Sequence, residues 1–234
     1  MQLRKLILLL IIGALAGLGV YLYRTMRSSG ERGQYVWAFL GDPQSQAGLV
    51  MKAGITCRGA PFTFPSNGLV GFIWDDSFRP GHRHQGIDIF AGTDVGLTPV
   101  YAAYSGYLTR QSDWKSSVIV RIPNDPLSPG RQIWTYYTHM ADANGKSYIV
   151  EAFPPGTLEV YIETGTLLGY QGNYSGDPAN PVGVHLHFSV VKDNGSGQFL
   201  NELDINNTFD PSPYLGLRLN AHSNSSEIPF CVGE

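Results

Sequence analysis

Between Cys57 and Val191 no stretch of this chain keeps a helical period for ten residues or more, which rules out a fold built on long helices. The region is instead a series of short extended runs. Gly86-Ile87-Asp88-Ile89-Phe90, Val100 to Tyr104, Tyr107 to Arg110, Ser117 to Ile122, Gln132 to Thr138 and Thr166 to Asn173 are each bounded or broken by Gly, Pro, Asn or Ser. The 28 glycines, 15 prolines and 13 tyrosines favour many turns and many strands. The sequence therefore predicts a mainly antiparallel β domain. With 234 residues, 43% hydrophobic and 15% charged, there is enough chain for one domain with a real core or for two small ones.

The N-terminus is different in kind. Arg4 and Lys5 precede an uncharged, mostly apolar run from Leu6 to Tyr23, which Arg24 and Arg27 close. A helix of about 17–25 such residues crosses a bilayer core. Ala14-Leu15-Ala16 has the small-x-small form of a signal-peptide cleavage site, but the apolar run continues past it to Tyr23. The expectation is an uncleaved signal-anchor or transmembrane helix over residues 1–27, with the rest of the chain outside the cytoplasm in the cell envelope. Cleavage would make the protein secreted. Residues 28–56 read as a linker or stalk, in which Tyr35 to Leu40 and Ala47 to Ala53 are open to strand, helical turn or flexible chain.

A formal net charge of −3 and scattered basic residues, with no Lys/Arg stripe interleaved with aromatics, argue against nucleic acid as a partner. The two cysteines, Cys57 and Cys231, suit an exported protein. A disulfide between them would tie the two ends of the domain together; two buried thiols that never meet is the alternative.

Val184-His185-Leu186-His187-Phe188 reads as a strand, on which both imidazoles share one face and Leu186 takes the other. His84-Gln85-Gly86-Ile87-Asp88 places a histidine and a carboxylate four residues apart around a glycine bend. Either piece alone means little. Together they offer imidazoles and a carboxylate of the kind that hold catalytic zinc with one position left open. A structural zinc site would want four ligands, usually with cysteines, and neither cysteine has a close partner in sequence. His139, at the end of the aromatic run Tyr136-Tyr137-Thr138, adds a further ring.

These pieces, in this order, resemble the M23 family of LytM/lysostaphin-type zinc metallopeptidases, which are peptidoglycan endopeptidases. The resemblance rests on His84-x-x-x-Asp88, Tyr137-x-His139, the glycine-bounded stretch Gly165 to Gly172 and His185-Leu186-His187, and it runs from about Gly68 to Val191. It implies an antiparallel β-sheet peptidase domain over residues 57–216, followed by a tail, 217–234, that a bridge from Cys231 would tie back. It also implies Zn²⁺ held by His84, Asp88 and His187, with His139 and His185 as catalytic helpers. His185, on the strand face of His187, suits a general base, and His139 suits an oxyanion partner, though the two roles could be exchanged. The expected substrate is peptidoglycan, in its cross-links or stem peptides, or another peptide; a regulatory protein partner is open. A non-catalytic wall-binding module of the same fold is the other reading, against which the unsubstituted His/Asp set argues. His82 is a competing ligand, Arg79 and Arg83 are candidates to meet a substrate carboxylate, the residues from Ile149 to Tyr161 are candidates to shape a groove, and His222 in the tail is expected to do nothing.

Overall fold

The structure is a computed structural model that describes residues 13, 17–19, 32–76, 82–218 and 230–231. Most of the Leu6–Tyr23 run lies outside the described residues, as do Arg79 and His222. Among the described residues no helix is long and apolar enough to cross a membrane.

Ten strands are described: β1 (Leu69–Phe72), β2 (Ile87–Phe90), β3 (Pro99–Tyr101), β4 (Gly106–Thr109), β5 (Val118–Ile122), β6 (Ile133–Thr138), β7 (Val160–Ile162), β8 (Leu167–Tyr170), β9 (His185–Lys192) and β10 (Thr208–Phe209). Eight of them form one sheet in the order β1-β2-β9-β6-β5-β4-β7, with β10 also on β9, and β3 pairs with β8 in a second, two-stranded sheet. All the pairings are antiparallel. The extended runs expected from the sequence are all present, some trimmed at their ends.

β9, the longest strand, lies between β2 and β6, and its alternation organises the sheet. Leu186, Phe188 and Val190 face the main core, where they join Ile87, Ile89, Val118, Val120, Ile133 and Tyr137. Tyr137 meets Phe188 edge to face at 5.2 Å between ring centroids, and its hydroxyl accepts the Ala103 N–H at 2.9 Å. His185, His187 and Ser189 take the opposite face, as period two requires. On that face a smaller cluster of Ile119, Trp134, Tyr136 and Val191, with Trp114 and Phe199 packed on it, lies beyond the histidines.

Residues 32–41 form a helix, where the sequence left Tyr35 to Leu40 open to strand or stalk, and Pro43–Leu49 continue as a 3₁₀ segment. Val36 and Phe39 are buried against Leu69 and Phe90. That spacing of three is a helical stripe, one too short to stand out in the sequence without the sheet edge that covers it. The described part of the segment expected to be a linker is thus largely docked on the domain, with Met51 bridged to Gly68.

Cys57 and Cys231 are joined by a disulfide, across 174 residues of sequence and with Cα atoms 5.0 Å apart. It closes the main core beside Leu217, whose backbone bridges to Cys231. A cross-link closing so long a loop removes much entropy from the unfolded chain. The Cys57→Ser/Cys231→Ser variant is expected to lose about 2–5 kcal/mol of stability in urea unfolding under oxidising conditions. Equal stability with and without the bridge would show that it restrains nothing.

Candidate metal centre

His84, Asp88 and His187 converge at one point of the sheet. The β2–β9 register sets Asp88 directly across from His187, and the β6–β9 register sets Thr138 on the other side of His187. Cross-strand partners share a face, so the ligand pair follows from strand register alone. His84 arrives from the bend before β2. Gly86 makes that bend possible: a Cβ there would run into the Phe188 carbonyl and the Ser189 hydroxyl. His84 Nε2 lies 3.1 Å from Asp88 Oδ1 and 3.0 Å from His187 Nδ1, and His187 Nδ1 lies 2.9 Å from Asp88 Oδ1.

The outer nitrogen of each ring is held. His84 Nδ1 donates to the Ile73 carbonyl at 3.0 Å, which leaves Nε2 with its lone pair directed into the triangle. His187 Nε2 pairs with the Ser189 hydroxyl at 2.8 Å. Three atoms that can each donate a lone pair to a metal converge at distances that shared protons bridge in its absence. Zinc–ligand bonds of about 2.0–2.2 Å place tetrahedral donors about 3.3 Å apart, so the triangle need open only by a few tenths of an ångström. Two nitrogens and a carboxylate oxygen suit zinc among divalent ions. The residues present therefore fit the metal that the sequence resemblance implies.

His185 and His139 stand beside the triangle without completing it. His185 Nδ1 donates to the Gly183 carbonyl at 2.6 Å, leaving Nε2 as an acceptor 3.5 Å from Asp88 Oδ1, and its ring stacks on Phe90. His139 Nδ1 donates to the Tyr174 carbonyl at 2.6 Å, and its ring lies 4.5 Å from that of His185. His139 directly follows β6 at φ +71°, in a left-handed region that residues other than glycine rarely occupy and that is common at functional turns. Gly172 presses against this turn, since a Cβ would strike the carbonyls of Ala141 and His139. The structure thus brings together all five residues singled out in the sequence. His82 stays outside the triangle, its ring 6.5 Å from that of His84. Arg83 is exposed and paired with Asp75.

Burial and mutual charge set the protonation states. Burial would raise Asp88, but His84 and His185, with the hydrogen bonds from His187 and His84, hold its carboxyl well below the usual range. Burial would lower His84, yet the Asp88 carboxylate keeps it above its ordinary value. His187 is lowered by burial, against the pull of Asp88. His139 is pushed down to about 3 by burial and by the neighbouring His185 and His187.

The sequence reading did not single out the groups that orient the site. Ser189 continues the alternation of His185 and His187, so period two would have found it. The carbonyls of Ile73, Gly183 and Tyr174 carry no side-chain signal.

No family model matches this chain, and no curated protein matches its sequence. Solved structures similar to it include the antimicrobial peptidase lysostaphin from Staphylococcus simulans, at 21% identity and a TM-score of 0.41, over 63% of this chain and 49% of that one. Csd3 from Helicobacter pylori is similar at 19% identity and a TM-score of 0.37, over 61% of this chain and 34% of that one. A point variant of the catalytic domain of the prophage-encoded M23 protein EnpA from Enterococcus faecalis is similar at 20% identity and a TM-score of 0.39, over 64% and 95%. The chain thus spans about half of lysostaphin and about a third of Csd3.

Two outcomes follow from the site. Without metal, acid should destabilise the protein. His139 and His187 have folded values below the ordinary 6.5, so the unfolded chain binds their protons first and stability falls as pH drops from about 6.5 toward 3. Asp88, held below 3.8, contributes stability that is lost as pH falls through its folded value. His84 has the opposite sign: its contribution is full below 6.5 and is lost as pH rises through its raised value. Urea midpoints measured in chelator from pH 7 to pH 3 should therefore fall steadily, and a flat profile would contradict these environments. Gly172→Ala should cost about 1–3 kcal/mol in the same assay, because the backbone must move to admit the methyl group. It should also weaken metal binding, which isothermal titration would show.

Proposed function

We propose that this protein is a zinc-dependent endopeptidase that hydrolyses peptide bonds in peptidoglycan, held at the outer face of a membrane by its N-terminal apolar run. The observation that carries the reading is the pair of imidazoles, His185 and His139, each fixed by a backbone carbonyl so that Nε2 is an acceptor beside a three-donor metal centre. A merely structural metal site needs no such bases. The peptidoglycan substrate comes from the sequence resemblance, and the anchor from the Leu6–Tyr23 run.

A zinc ion on His84, Asp88 and His187 would supply Lewis acidity toward a peptide carbonyl and acidify a water. The chain's own groups do the rest. His185 takes the proton of the attacking water on Nε2, and the Asp88 carboxylate 3.5 Å away stabilises the resulting imidazolium. His139 stays neutral in the resting site, because burial and two neighbouring imidazoles oppose its charge. Negative charge developing on the carbonyl oxygen supplies what burial denies: His139 takes a proton from solvent on Nε2, donates it as a hydrogen bond to that oxygen, and returns it to solvent when the carbonyl re-forms. Proton transfer to the leaving amine returns His185 to its resting tautomer, which the Gly183 carbonyl selects.

The full chain, purified in detergent, is to be incubated with cross-linked peptidoglycan with and without chelator, and the released fragments identified by mass spectrometry. Cross-linked dimers should disappear only when metal is present. His185→Ala should slow this by about 10²–10⁴-fold while still binding metal. His84→Ala should lose the metal. A wild-type chain that binds zinc through His84 and leaves every wall peptide intact would overturn the proposal.

A further inference from the structure

The helical residues 32–41 do more than cover a sheet edge. Their first described residue, Arg32, is only 1% exposed, and its Nε lies 3.0 Å from Oδ2 of Asp76, which is 5% exposed. That same carboxylate oxygen accepts the Ile73 N–H at 2.9 Å. The turn so tied, Ile73 to Asp76, grips His84 at three points. The Ile73 carbonyl accepts from His84 Nδ1 at 3.0 Å, the Asp76 carbonyl accepts the His84 N–H at 2.8 Å, and the Asp75 N–H donates to the His84 carbonyl at 2.8 Å. Asp76 therefore stands between the N-terminal helix and the one candidate ligand that no strand carries. Asp88 and His187 are placed by strand pairing; His84 depends on this turn.

We infer that Arg32 is a positioning residue for the metal centre, acting through Asp76 and the Ile73 carbonyl on the His84 ring, so that docking of the N-terminal helix sets the metal affinity of the site. The inference rests on the reading of His84 as a ligand. A buried ion pair is a poor source of stability compared with apolar packing of the same size. Its use here is directional: it holds a carboxylate where that carboxylate fixes a turn. Outer partners that orient a ligating imidazole change metal affinity by about 10–100-fold when removed, and Arg32 lies one contact further out, at the lower end of that range.

The test uses the full chain in detergent, titrated with cobalt(II) and followed by its visible absorption, with zinc affinity from competition. Arg32→Met should weaken zinc binding about tenfold and alter the cobalt spectrum, and Arg32→Lys should restore part of both. Asp76→Asn keeps an acceptor for the Ile73 N–H, and the Arg32→Met/Asp76→Asn double variant should be no weaker than the worse single one, because both act along one path. Arg131→Met breaks an ion pair with Asp125 that shares no hydrogen bond with the site residues. It should lower the urea midpoint and leave the cobalt spectrum unchanged. Unchanged affinity and spectrum in Arg32→Met, or additive effects in the double variant, would overturn the inference. If Arg32→Met does not fold, the same comparison is made between Arg32→Lys and Asp76→Asn, with the same two outcomes. Cobalt binding by His84→Ala equal to wild type would instead sink the metal reading itself.

Discussion

The register between β2 and β9 is the constraint on which the rest of this molecule depends. It sets Asp88 opposite His187, Ile89 opposite Leu186 and Phe90 opposite His185. A slip of one residue would turn every side chain of β9 to the other face, burying two histidines in the core and exposing Leu186, Phe188 and Val190. The apolar set therefore enforces the register, and the register assembles the site. Core stability and site geometry are one property of the same eight-residue strand.

Four imidazoles and a carboxylate packed together would be costly in an apolar interior. The cost is offset by neighbours that each satisfy one ring nitrogen: the carbonyls of Ile73, Gly183 and Tyr174 and the hydroxyl of Ser189. Carbonyls only accept, so they also select the tautomer, and three of the four rings are thereby left with a lone pair on Nε2. The same backbone groups that make burial tolerable decide which atoms face the centre. Two glycines, Gly86 and Gly172, permit the close backbone approaches that bring those groups in.

Much of the fold was legible. The alternation in Ser117 to Ile122, the aromatic run ending at Thr138 and the histidine strand are strands in the structure, because period two with β-branched and aromatic residues has few other solutions. The short edge strands β1, β7 and β10 were not read, since two to four residues hold too little pattern. The helix over 32–41 was not legible either. Its buried stripe is only Val36 and Phe39, and the partners that bury them, Leu69 and Phe90, are remote in sequence.

The resemblance supplied the roles of the five candidate side chains, while from the amino acids alone one could read the class of elements and the pattern that makes His185 and His187 share a face. These follow from residue type and from periodicity, which are local. The nonlocal facts came from the packed fold: which strands are neighbours, how the chain between Cys57 and Cys231 is closed, which backbone or hydroxyl group fixes each imidazole, and that Arg32 reaches Asp76 in the turn that holds His84. Backbone carbonyls are the same in every residue, and an arginine's partner across the fold leaves no mark on its neighbours in the chain. Only the packed backbone could show where those groups point.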